Sequence, residues 1–326
     1  MNNQMQHQKG MILLMVLLVF SVVAILATSM IERQSVDIER AQTLFTQQQA
    51  RLYALGAESA SRRGLYMDWE ADKSIDHAAE QWAEPRTFPL DPGVISITIQ
   101  DLQGRFNLNS LLPGGSVAVH EGRFRNLLNL TGLDTNIASE WRKWLDKDSN
   151  VDNKYLTMEP SYRPAYAECK HTSELMLIEN VDLDAYAKLE PYITCLPASV
   201  QMNINTASAF VVASLHSQLT LADGEQVIAA RGTNGFTTVE DFLASAPIAA
   251  VNKPVQNDNG NDSDNQAAAP LVATDFSVTT EYFEMFARID LNDRIGTVEA
   301  VIQRSIADGS MKTLRRDYSR RAARQP

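Results

Sequence analysis

Residues Met11 to Ile31 carry no charged side chain and no proline, and this apolar run passes without a break into a polar helical pattern. At 1.5 Å per residue a helix of that length crosses a bilayer core of about 30 Å. The ten residues before it, MNNQMQHQKG, hold Lys9 as their only charge. A secretory signal would close its apolar region with small residues at a cleavage site. Here Glu32 and Arg33 follow instead, and Ile31, Ile38, Leu44, Phe45, Leu52 and Leu55 keep a helical spacing that predicts one helix to about Tyr66. Gly56 and Gly64 mark where it would bend or fray. From composition alone, the simplest reading is a single membrane helix tethering an extracytoplasmic domain.

Beyond that helix the period changes. Ile95, Ile97 and Ile99 alternate with Ser96, Thr98 and Gln100, as in a strand with one buried face, and run into DLQGRFNLN at 101–109. Phe283, Met285, Ala287 and Ile289 alternate with polar neighbours and lead through Asn292 and Asp293 to Val298, Ala300 and Ile302, a hairpin pattern. The section between, 113–246, reads as helical, with helix starts at Asp182, at Thr206 and at Thr237 with Glu240. Strands on both sides of a helical block predict one sheet interrupted by an insertion. Residues 247–273 form a polar stretch expected to be a loop, and the tail 310–326 sets six Lys and Arg against Asp317, a composition expected of a solvated end.

The chain has 326 residues and a net charge of −11, which disfavours a phosphate-tracking nucleic-acid partner. His7, His77, His120, His171 and His216 are scattered, and no HExxH, GxSxG or P-loop is present, so no local motif asks for catalysis. Asp146, Asp148, Asn150, Asp152 and Asn153 place oxygen atoms at alternate positions of a short loop, a spacing that can wrap calcium; Glu174 could close the site from outside. Val151 and Thr157 stand where an EF-hand needs glycine and glutamate, so the alternative is an exposed acidic turn. Cys169 and Cys195 are the only cysteines. Outside the cytoplasm they would pair, and two buried thiols are the alternative.

The junction Lys9-Gly10-Met11, a basic residue and glycine before a long apolar helix, resembles the prepilin peptidase site of type IV pilins and pseudopilins. In those families cleavage follows the glycine and the new N-terminal residue, here Met11, is methylated. Most carry glutamate at the fifth mature position, occupied here by Met15; a subunit with no neighbour above it has no amine for that acid to meet. Together with DLQGRFNLN at 101–109, WRKWLDKDSNVDNKY at 141–155, NINTAS at 203–208 and GFTTVEDFLA at 235–244, these features resemble the general secretion pathway protein K family, the largest minor pseudopilins of type II secretion.

The resemblance implies an α+β pilin-like fold, a long N-terminal transmembrane helix on a small antiparallel sheet, carrying a large all-α insertion of two SAM-like or helix-hairpin-helix units. It divides the chain into a leader (1–10), a transmembrane part (11–31), stem and first strands (32–112), inserted α-domain (113–246), polar loop (247–273), C-terminal strands (274–309) and basic tail (310–326). It further implies calcium in the α-domain. The expected place is the tip of a periplasmic pseudopilus anchored in the bacterial inner membrane. The expected partners are minor pseudopilins I and J with H beneath, major pseudopilin G, the prepilin peptidase and the inner-membrane assembly platform. A minor pilin of a type IV pilus and a membrane-anchored periplasmic calcium-binding protein are the competing readings.

Overall fold

The computed structural model describes residues 3–252, 269–291 and 294–319, with the backbone alone for 3–10. Helix α1 runs from Asn3 to Ala71, about 100 Å at 1.5 Å per residue, and continues five residues past Tyr66. Its packed face is built from Ala54, Ala57, Ser61, Leu65 and Trp69, spaced three or four apart, so small side chains let the backbone settle close to the sheet. Gly56 and Gly64 leave the helix unbroken, because both sit on the outward side while their neighbours are held against the sheet.

Strands β1 (Arg86–Leu90) and β2 (Gly93–Asp101) form an antiparallel hairpin, with Ile95, Ile97 and Ile99 facing α1. The chain then leaves the sheet and builds two lobes. The first holds β3 (Phe106–Asn107), α2 (Val117–Leu130), α3 (Asn136–Leu145), α4 (Asp152–Leu156), α5 (Leu183–Leu189) and β4 (Ile193–Thr194), around Phe124, Leu127, Trp141, Trp144 and Tyr155. The second holds β5 (Met202–Asn203), α6 (Ala209–Ser214), α7 (Leu221–Arg231), α8 (Val239–Leu243), α9 (Ala246–Val251) and β6 (Phe276–Ser277), around Val211, Val227, Phe242 and Phe276.

The chain re-enters the sheet as β7 (Tyr282–Leu291), followed by β8 (Arg294–Arg304) and β9 (Met311–Asp317). Strand order is β1-β2-β7-β8-β9, antiparallel throughout, with Asp101 opposite Phe283 where the insertion leaves and returns. The expected turn residues Asn292 and Asp293 lie outside the described residues.

Four details differ from the sequence expectation. The excursion from the sheet spans 102–281 rather than 113–246, because Phe106, Leu108 and Leu111 are buried in the first lobe and Phe276 in the second. It is also not purely helical: β3 pairs with β4, and β5 with β6, as short parallel ladders that close each lobe. Helix α6 is capped by Ser208 instead of Thr206, whose hydroxyl is drawn to Asp101, and α8 by Thr238 with Asp241, one residue beyond the expected pair. Finally, Met311–Asp317 is an edge strand, not a solvated end. Arg316 and Thr313 bond to Glu58 of α1, Arg315 pairs with Glu299, and Arg62 donates to the Met311 carbonyl. The Arg316 guanidinium holds the Glu58 carboxyl below its usual range. Of the expected polar loop, 269–273 is described and places Leu271 in the second core; 253–268 lies outside the described residues, as does 320–326 of the tail.

Candidate functional site

The two most distinctive motifs meet at the joint between sheet and insertion. Asp101, at the end of β2, accepts hydrogen bonds on Oδ2 from Asn203 Nδ2 (3.0 Å), Thr280 Oγ1 and Thr206 Oγ1, and on Oδ1 from the Gln103 amide (2.6 Å). Asn203 also donates to the Asp76 carbonyl, and Gln103 Oε1 accepts from the Glu281 amide. Gly104 lies so close to Thr206 that a Cβ there would stand 2.8 Å from its carbonyl carbon and oxygen. Asn109 bridges the Cys169 and Leu196 backbones, and Asn205 clamps both polar backbone groups of Phe236. DLQGRFNLN and NINTAS are therefore cement: their polar side chains satisfy buried backbone where two modules meet.

Next to this joint, Asp68, Asp76 and Glu80 bring one carboxylate oxygen each within 4.8 Å of one another, the one such acidic triple among the described residues. Arg304, 2% exposed, occupies the cluster: Nη2 binds both Asp76 oxygens and the Thr280 carbonyl, and Nη1 is 3.6 Å from Asp68. Sequence reading missed this group, since 228 residues separate Asp76 from Arg304. Burial, reinforced by Glu80 and Asp76, pushes the Asp68 carboxyl up to about 7, and burial pushes Asp101 up to about 6. An acid that holds its proton more tightly when folded loses stability as pH rises from about 4 through its folded value. Tm is therefore expected to rise by about 3 °C as pH falls from 8 to 6. Below about pH 4.5 the trend reverses, when Glu58 and Glu140, both held below the usual range, take up protons. A differential-scanning series across pH checks this.

The 146–153 loop joins α3 to α4. Asp146 Oδ1 accepts from the Asp148 amide (2.9 Å), Asn150 turns the chain in the left-handed region at φ 50°, and Asp152 opens α4. Asp152 Oδ1 is buried near the Tyr166 hydroxyl, and neither makes a hydrogen bond of ordinary geometry. Glu174, expected to close this loop from outside, is engaged elsewhere. Its Oε1 accepts from the Lys170 and His171 amides in a capping box that starts another helical turn. Cys169 and Cys195 are joined by a disulfide that ties the entry to that turn to the end of β4.

At the other end of the chain, Met11 and Met15 are exposed on α1, and Gly10 falls where only backbone is described. Among the described residues, α1 is the one helix long and apolar enough to cross a membrane.

Comparison with known proteins gives these features a setting. Residues 104–198 and 202–260 match family models described as type II secretion system (T2SS), protein K. The chain is 33% identical over 329 aligned residues to type II secretion system protein K of Pseudomonas aeruginosa, covering 95% of this chain and 92% of that protein. The chain belongs to the type II secretion system protein K family. The K-family protein of Klebsiella pneumoniae is 31% identical, covering 75% of this chain and 82% of its own. Among solved structures, a chain of the GspK-GspI-GspJ complex from enterotoxigenic Escherichia coli superposes with a TM-score of 0.73 at 25% identity, covering 86% of this chain and all of that one. As a K-family member this chain is a minor pseudopilin of the type II secretion system, with the α+β fold expected from its sequence. Both matches cover residues of the two lobes, 104–198 in the first and 202–252 of the described residues in the second.

Proposed function

We propose that this K-family chain is a structural subunit at the tip of the periplasmic pseudopilus, where it initiates assembly and supports export of folded proteins. The observation that carries this reading is α1 itself. One unbroken helix is bare and apolar at Met11–Ile31 and packed on a five-stranded sheet at Ala54–Trp69, while a two-lobed excursion hangs from that sheet. Such a body cannot be stacked over by a further subunit without displacing the lobes, which suits an end position. Minor pseudopilins I and J are the proposed neighbours, in line with the complex in which the similar GspK chain was solved, with H and the major pseudopilin G below. The helix sits in the inner membrane, the sheet and lobes in the periplasm, and the assembly platform draws the helix into the fibre.

Processing follows from the junction at Gly10. Cleavage by the prepilin peptidase leaves Met11 as an N-methylated first residue and Met15 as an uncharged fifth one. Co-expression with that peptidase is expected to shorten the chain by ten residues and add one methyl group, read by intact mass. A full-length product under those conditions overturns the reading. Deletion of the locus separates the alternatives: lost exoprotein secretion supports this one, lost pili with secretion intact supports a type IV pilin.

The buried Asp152 Oδ1, which makes no hydrogen bond of ordinary geometry, supports calcium in the 146–153 loop, with Asp146, Asp148, Asn150 and Asn153 as the other oxygen donors and Glu174 left out. A bound calcium ion supplies positive charge that the loop's carboxylates lack. Asp152 opens α4, and Asp146 holds the turn after α3, so the ion would brace one helix against the next. With 1 mM calcium and a Kd of about 10 μM, chelation is expected to cost about 2.7 kcal/mol and lower Tm by about 5 °C. Asp152→Asn removes that response. An unchanged Tm in excess EDTA overturns the site.

A further inference from the structure

Where the two lobes and the sheet converge there is a cavity of about 120 Å³. Arg105 and Asn107 of the DLQGRFNLN motif form one wall, His120 and Arg123 of α2 a second, and Asp275, just before β6, a third. Ser199, exposed on the connector between the lobes, lines its open side. A space of that size holds one small polyatomic group with a few waters. Arg123 is 5% exposed, and Asp275 takes only its Nη1, at 2.8 Å. Its Nε is buried and has no hydrogen-bond partner among the described residues. Buried donors are rarely left unpaired, so an unfilled one in a cavity wall points to an acceptor on a ligand. Three residues back on the same helix, His120 makes no hydrogen bond or ion pair among the described residues, and neither does the Ser199 side chain. A guanidinium edge, an imidazole and a hydroxyl, each with a donor to spare, are the set that recognises an oxyanion.

Charge decides what must enter with the anion. Asp275 balances Arg123, Glu284 balances Arg105 at 3.4 Å, and Glu121, next to His120 in the chain, is held by Arg125 and Arg142. The group in the wall that can still add positive charge is His120. Burial and Arg123 hold its imidazole below the usual range, against the pull of Asp275, so without an anion beside it the ring is neutral at pH 7.5. A negative charge at hydrogen-bond distance favours the imidazolium.

We propose that this cavity binds one oxyanion group, a carboxylate or a phosphate, on Arg123, His120 and Ser199. The anion draws a proton onto His120, so binding strengthens as pH falls. Because its walls come from both lobes and from the chain leaving the sheet, the bound group ties these parts together. The assignment does not depend on where in a fibre the subunit sits.

The test uses the full-length chain in detergent, with NMR of labelled histidine rings; the His120 signal is the one lost in His120→Ala. Sodium sulfate, sodium acetate and a blocked Gly-Asp-Gly peptide are the probes, at constant ionic strength so that screening does not change. With at least one of them the His120 titration is expected to move to higher pH while the other histidines stay in place. Calorimetric affinity for the same probe is expected to be about fivefold tighter at pH 6 than at pH 8. A response to sulfate or acetate supports a site for free anions, and a response to the peptide alone supports one for a carboxylate carried on a protein. His120→Gln keeps a donor and loses the titrating group, so its affinity is expected to be equal at the two pH values. Arg163→Ala, outside the cavity, leaves every response unchanged. An unmoved His120 titration with all three probes, or a pH dependence that survives in His120→Gln, overturns the site.

Discussion

Replacing Arg304 with methionine is expected to destabilise the protein by about 3–5 kcal/mol, the cost of leaving a buried charge uncompensated. The guanidinium is the cation that stands among Asp68, Asp76 and Glu80. It also donates to the Thr280 carbonyl and lies 4.8 Å over the Phe283 ring. Methionine keeps the aliphatic volume and the ring contact and removes every donor, so the loss reports charge and hydrogen bonding rather than a cavity. Urea midpoints at pH 7.5 measure it. At pH 5.5 the deficit is expected to shrink, because acids freed of their cation are easily protonated in a buried cluster. Adding Asp76→Asn to the methionine variant should recover part of the loss, since it removes one unpaired charge. A deficit below about 1 kcal/mol at pH 7.5 would mean that the cluster does not depend on this cation.

Gly104→Val is expected to cost about 3 kcal/mol, toward the upper end for overpacking a well-filled site. The new Cβ would stand 2.8 Å from Thr206 backbone atoms, and backbone cannot rotate aside as a side chain would. Thr206 must move, and with it the hydroxyl that Asp101 accepts. The damage should be directional. Amide exchange should rise at 203–208 and 277–281, where the insertion is fastened, and stay low at 285–302 in the centre of the sheet. Uniform deprotection across the sheet would show that the joint and the sheet unfold as one unit, contrary to this expectation.

How much of this was legible beforehand depends on range. The alternation of Ile95, Ile97 and Ile99, and of Phe283 through Ile302, is a short-period signal, and both stretches are strands facing α1. The apolar block before Glu32 was equally plain. Partners far apart in the chain were not. Nothing near Arg304 in sequence announces Asp68 or Asp76, and nothing in Met311–Asp317 announces that Glu58 and Glu299 neutralise its arginines. A basic strand therefore read as a solvated tail. Thr206 looked like a helix cap because its own neighbours fit one; Asp101, 105 residues earlier, claims its hydroxyl. In the acidic loop the alternate spacing of Asp146 and Asp148 was visible, whereas the engagement of Glu174 with the Lys170 and His171 amides was not.

The insertion point between β2 and β7 also governs the order in which this molecule can be built. The two are sheet neighbours, yet Asp101 meets Phe283 only after the whole two-lobed excursion has been made. During synthesis α1 and the β1–β2 hairpin emerge first, with Ile95, Ile97 and Ile99 able to cover themselves only against the helix. Long loops are slow to close, and folding the lobes first draws the distant ends together before the ladder forms. The disulfide between Cys169 and Cys195 lies wholly within the first lobe, so it can form while β7 is still unmade. The sheet that gives the subunit its pilin-like shape can be completed only when the excursion returns to it, and the joint at Asp101 fastens that return.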